Sequence, residues 1–122
     1  MGVPQPTRSG RQMRAMAGRY QSGHRWRQSV AWLRSQRRGC WICRAFGRPD
    51  AIDYDLPPLD PGAFEADHLV PISKGGSPYD RDNLDATHRA CNNWRKSKSV
   101  AEVLSIARRS RGVRQVEATT DW

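Results

Sequence analysis

Asp67-His68-Leu69-Val70-Pro71, followed by Lys74-Gly75-Gly76, Asn83-Leu84 and His88-Arg89-Ala90-Cys91-Asn92, is the segment from which the architecture follows. Phe64 to Val70 predicts a strand, ended by Pro71, which has no amide hydrogen for a ladder. Lys74 to Pro78 carries two glycines and a proline and predicts a turn. Asn83 to Thr87 predicts a short second strand, and Arg89 to about Lys98 a helix. The order is strand, strand, helix. Adjacent strand residues point to opposite faces. Asp67 and His68 can therefore serve one site only where the strand is irregular, and Pro71 predicts an early end.

Two short-spaced pairs of soft ligands bracket this segment. Cys40-Trp41-Ile42-Cys43 predicts a tight knuckle, and His88-x-x-Cys91 repeats its spacing across the start of the helix. Zinc takes four tetrahedral ligands from thiolate and imidazole, and two such pairs supply them. A filled site has no open position, so the ion would be structural. A lone Cys-x-x-Cys is equally compatible with redox chemistry or a plain core; the second pair favours zinc. His24 is the other histidine that could complete the set, but it lies outside any pair spacing.

Upstream, Trp26, Val30 and Leu33 recur at helical spacing, and Gly39 is the expected stop. Arg44 to Gly62 is rich in Pro and Asp and reads as a loop. Downstream, Ser99-Val-Ala-Glu102 has the form of a capping box opening a last helix. Val100, Val103, Leu104 and Ala107 are expected on its buried face. The organisation expected is a disordered basic arm over 1–23, one domain over 24–111 and a flexible tail over 112–122.

The charge of +9 on 122 residues is unevenly spread. Met1 to Pro49 holds eleven arginines and no acid, whereas Asp50 to His88 holds nine acids against Lys74 and Arg81. Arg89 to Arg114 has eight basic residues facing Glu102. Basic flanks suit a polyanion, because neutralised phosphates release condensed counterions. At 37% hydrophobic residues the core is thin, and a metal staple suits such a domain. No apolar run is long enough to predict a signal peptide or a membrane span. Three cysteines without such a leader predict a reducing, cytoplasmic setting.

The segment from Cys40 to Lys98 resembles the HNH endonuclease family. The likeness rests on Asp67-His68 before Pro71, on the Gly75-Gly76 turn, on Asn83-Leu84, and on His88-x-x-Cys91-Asn92 ending in Arg95-Lys96. His88 stands where members usually carry cysteine, and Asn92 where many carry histidine. The resemblance implies an α+β, ββα-metal core with a structural zinc knuckle and flanking helices. It implies His68 as general base, Asn83 as brace of the histidine or of the inter-strand loop, and Asp67 and Asn92 as oxygen ligands of one Mg2+ or Mn2+. Such hard donors suit those ions. Arg95 and Lys96 follow Asn92 at i+3 and i+4 and are candidate phosphate contacts. Trp94, at i+3 from Cys91, is expected to pack under the knuckle. Trp26 and Trp32 are expected to be packing residues, and Glu65, opposite Phe64, is expected to be solvated.

Metal-dependent hydrolysis of DNA is the expected activity, as nicking or low-specificity cutting by a monomer. The nearest likeness is to small free-standing phage proteins, some of which act beside the terminase in genome packaging. The rival reading is a non-catalytic zinc-containing module that binds DNA; it needs the zinc and the basic flanks but not Asp67, His68 and Asn92 together.

Overall fold

A computed structural model describes the backbone of residues 23–120 and the side chains of residues 23–112. The basic arm expected over 1–23 lies almost wholly outside the described residues. The elements are α1 (His24–Ser35), α2 (Trp41–Ala45), β1 (Phe64–His68), β2 (Leu84–His88), α3 (Arg89–Arg95) and α4 (Val100–Thr120). Short 3-10 turns at Ile72–Lys74 and Arg81–Asn83 lie between the strands. No described helix is long and apolar enough to cross a membrane.

β1 and β2 pair antiparallel, with Phe64 opposite His88, Ala66 opposite Ala86 and His68 opposite Leu84. Phe64, Leu84 and Ala86 are buried with Leu33 of α1, and Trp26 and Val30 pack against them. A second cluster joins α2 to α4 through Cys40, Trp41, Ile42, Cys43, Phe46, Val103 and Ala107. The fold is thus a hairpin and helix between two small cores, one covered by α1 and the other formed by α2 and α4.

Local chemistry explains where the elements stop. β1 ends at His68, not Val70, because the Asn83 side chain takes over the backbone beyond it: Asn83 Oδ1 accepts from Val70 N at 2.8 Å and Nδ2 donates to Val70 O at 3.0 Å. Asn83 closes a 3-10 turn, so β2 starts one residue later than its spacing predicts. α3 stops at Arg95 because Lys96 takes a positive φ of 52°. Gly39 does not cap α1, which ends at Ser35. A Cβ there would lie 2.5 Å from Asp50 Oδ2, so the glycine admits the loop whose Asp50 carbonyl accepts from Cys40 N at 2.7 Å.

The capping box forms as its residues predict: Glu102 Oε1 accepts from Ser99 N at 2.9 Å, and Ser99 Oγ accepts from Glu102 N at 3.1 Å. Val103 and Ala107 are buried, whereas Leu104, expected beside them, is 38% exposed. α4 runs past Gly112 to Thr120, where a loose tail was expected. One glycine costs a helix only about 1 kcal/mol, which the rest of a 21-residue helix can absorb.

Candidate active site and metal centre

α2 and the β2–α3 junction bring four soft ligands together. The donor atoms of Cys40, Cys43, His88 and Cys91 all lie within 4.8 Å of one another. Cys43 Sγ is 3.6 Å from Cys91 Sγ and 3.4 Å from His88 Nδ1, and Cys91 Sγ is 3.8 Å from Nδ1. Sulfurs about 2.3 Å from a tetrahedral zinc lie about 3.8 Å apart, so the three edges among Cys43, His88 and Cys91 are close to the lengths zinc requires. The other ring nitrogen of His88, Nε2, is 2.9 Å from the Ala51 carbonyl. That carbonyl accepts Nε2–H, which leaves the Nδ1 lone pair for a metal. Burial pushes the Cys91 thiol up to about 12, reinforced by Cys40 and Cys43 beside it, and burial raises Cys40 too. The raised Cys91 and Cys40 thiols hold their protons unless a cation replaces them. The donor set fits zinc.

The knuckle reaches into a second site. Trp41, between the two cysteines, donates its indole N–H to Asp67 Oδ2 at 2.9 Å. Arg95 Nη1 donates to the same oxygen. Burial raises the Asp67 carboxyl, against the lowering effects of Trp41 and Arg95. Both donors take Oδ2, and no hydrogen bond to Oδ1 is made among the described residues. Asp67 lines an open cleft of about 440 Å³ with Trp26, Glu65, His68, Asn92 and Lys96. His68 shares that cleft because it is the last residue of β1, where the strand is already breaking off.

Two contacts fix the His68 ring. Nε2 is 3.1 Å from the Pro78 carbonyl, and the ring stacks on Trp26 with centroids 5.0 Å apart and planes 20° apart. A carbonyl can only accept, so Nε2 carries the proton and Nδ1 is left as the proton acceptor. Asn83 sits one step behind. Its Nδ2 donates to Ser77 O at 2.9 Å as well as to Val70 O, which braces the loop that presents Pro78. A Cβ on Gly76 would lie 1.8 Å from Val70 O and 2.9 Å from Asn83 Nδ2. The Gly-Gly turn and Asn83 are therefore one device. Asn83 braces and does not line the cleft.

The family model described as HNH endonuclease matches residues 40–98. The chain carries a domain of the HNH endonuclease family. No curated protein and no solved structure matches the chain. The HNH domain takes in the four soft ligands, both strands and every residue of the cleft except Trp26, which α1 supplies from outside it.

One candidate in the HNH domain is corrected by its surroundings. Arg95, expected to contact phosphate, is 1% exposed. Its guanidinium is consumed by Asp67, the His68 and Leu69 carbonyls and the Lys98 carbonyl. It neutralises a buried carboxylate and ties α3 to the end of β1. Lys96 remains at the cleft, exposed. Trp94 packs edge-on against Phe46 and stays 40% exposed, beside the knuckle more than under it.

Three roles were missed. Glu65 is not simply solvated: Asn92 Nδ2 donates to its Oε1 at 2.9 Å, and Arg89 approaches its Oε2 at 3.4 Å. Two-residue strand spacing from Asp67 was the signal for it. Trp26 packs, as expected, but on the His68 ring. Trp41 gave no sign in sequence, because its partner lies 26 positions away.

Proposed function

We propose that the protein is a metal-dependent endonuclease that hydrolyses DNA phosphodiester bonds. The observation carrying this reading is the fixed His68 ring, with Nε2–H committed to a carbonyl and Nδ1 left as acceptor on a cleft that also holds Asp67 and Asn92. Asp67 Oδ1 and the Asn92 amide oxygen are hard, oxygen-only donors, which fit a magnesium or manganese ion. Such an ion, when bound, would supply positive charge to a phosphate and its departing oxygen.

The chain's own residues account for the rest. Nδ1 of His68 takes a proton from a water, the water oxygen bonds to phosphorus, and the P–O3′ bond breaks with its electron pair going to O3′, which takes a proton from solvent to leave a 3′-hydroxyl and a 5′-phosphate. Trp26 and Pro78 keep the imidazole in line without reorganisation. Lys96 meets the phosphate charge. Arg95 and Trp41 oppose the burial that raises the Asp67 carboxyl. The exposed arginines of α1, including Arg25 stacked over Tyr79 at 4.2 Å and Arg34 over Phe64 at 4.9 Å, offer positive surface to the flanking backbone. With no base-reading element among the described residues, the domain is suited to nicking or low-specificity cutting. The resemblance to phage proteins that act beside the terminase supports a cytoplasmic role in packaging.

The test is supercoiled plasmid incubated with zinc-loaded protein and added Mg2+ or Mn2+, read as nicked and linear forms. Cleavage by the wild type and loss of cleavage with retained DNA binding in His68→Ala is the expected pair of results. Equal cutting by both proteins would remove His68 from the reaction. Binding without cutting by the wild type would make the domain a zinc-containing DNA-binding module.

A further inference from the structure

A side-chain amide presents an oxygen on one arm and an NH2 on the other, nearly equal in shape. Only its hydrogen bonds decide which arm faces a given direction. Asn92 lines the cleft where a cation would need the oxygen. Turned the other way, it would present two N–H donors to that cation and repel it.

The surroundings leave one orientation. Glu65 and Asp67 lie two residues apart on β1 and so share a strand face. α3 sets Asn92 over that face, with its NH2 2.9 Å from Glu65 Oε1. An ionised carboxylate is an acceptor only, so it can face the NH2 and never the amide oxygen. The carboxylate is held in turn by Arg89, 3.4 Å from Oε2 and one helical turn before Asn92 on α3. Arg89, Glu65 and Asn92 thus form a chain from solvent to cleft.

We infer that Glu65 is a positioning residue that locks the Asn92 amide with its oxygen toward the cleft, so that the site selects a divalent cation. This rests on the reading of the cleft as a cation-dependent site. Glu65 acts through Asn92 and need not itself touch the ion.

Manganese binding to zinc-loaded protein, followed by electron paramagnetic resonance without DNA, separates the possibilities. Partners that orient a metal ligand are worth about 10- to 100-fold in affinity. Glu65→Ala should weaken Mn2+ binding about tenfold, with zinc content unchanged. Glu65→Gln, which keeps an acceptor oxygen but adds an NH2 that can face either arm of Asn92, should recover only part of the loss. Asn92→Asp should fail, because two carboxylates would face each other, and the donor–acceptor swap Glu65→Gln with Asn92→Asp should restore binding.

Failure of the double swap to bind Mn2+ better than Asn92→Asp alone would overturn the lock. Unchanged Mn2+ affinity in Glu65→Ala, with a lower melting temperature alone, would also overturn it. So would unchanged affinity in Asn92→Ala. A wild type that shows the predicted Mn2+ pattern but leaves plasmid intact would instead sink the nuclease reading and leave the lock standing.

Discussion

The Trp41 indole donates to Asp67 Oδ2 at 2.9 Å, and this bond links the zinc-type knuckle to the carboxylate of the cleft. The knuckle therefore does more than fasten two loops. It carries a hydrogen-bond donor into a buried position 6% exposed, where an ionised carboxyl needs one.

Trp41→Phe should keep the ring packing and lose that donor. A hydrogen bond to a charged group contributes about 1.5–3 kcal/mol, so a stability loss of that order is expected in denaturant titrations. The sign on pH follows from the direction of the Trp41 effect. Its N–H lowers the Asp67 carboxyl, so removal raises it further. More of the carboxyl is then protonated at a given acidic pH, and the acid limb of the cleavage profile should move to higher pH. An unmoved limb would separate Asp67 ionisation from activity.

Arg95 and Lys96 are adjacent and should respond oppositely. Arg95→Ala leaves Asp67 buried without its cation, a change costing about 3–5 kcal/mol, and soluble yield and melting temperature should both fall. Lys96→Ala should fold normally and bind duplex DNA less tightly, with a salt slope flatter by about 0.9 for one lost phosphate contact. A folded Arg95→Ala with the weaker, flatter binding expected of Lys96→Ala would reinstate Arg95 as a phosphate ligand.

Asn83→Ala removes bonds to Val70 N, Val70 O and Ser77 O. At about 1 kcal/mol each, a loss of about 2–3 kcal/mol is expected. Cleavage should suffer more than zinc content does, because the slack appears in the Pro78 carbonyl that holds His68. Gly76→Ala should be worse, since the added methyl meets a carbonyl at 1.8 Å. Calorimetry together with a metal assay would show whether the two properties part as described.

For the thiol cluster, the metal-free and zinc-loaded proteins should diverge with pH. Cys91 is raised from 9.0 to about 12 in the folded chain. A raised group contributes stability that is full below the unfolded value and lost as pH rises through the folded one. Metal-free protein should therefore weaken between pH 9 and about 12. Zinc-loaded protein, whose thiols are already deprotonated, should not, and should instead lose its ion on acidification as protons compete. Parallel thermal melts over that range would contradict this if the two curves ran together.

Much of the fold was legible because its signals are local. Cys40-x-x-Cys43 and His88-x-x-Cys91 share a spacing, Ser99 and Glu102 sit at capping distance, and Trp26, Val30 and Leu33 repeat at helical period. Each is a short-range pattern that the backbone converts directly into a knuckle, a cap or a buried face. Element ends were less legible. Val70 and Lys96 fell outside their elements because a side chain or a positive φ intervened.

The amino-acid order alone thus determined the four soft ligands, the strand–strand–helix succession and the pairing of Asp67 with His68. Which charges face water was decided only when the chain closed on itself. Arg95 and Lys96 are consecutive cations, yet one is sealed against Asp67 and the other lies open at the cleft. Glu65 and Trp41 gained their roles in the same way, from partners 27 and 26 positions distant. Backbone spacing fixes what lies within a few residues, whereas desolvation and pairing of a charge depend on what packs over it.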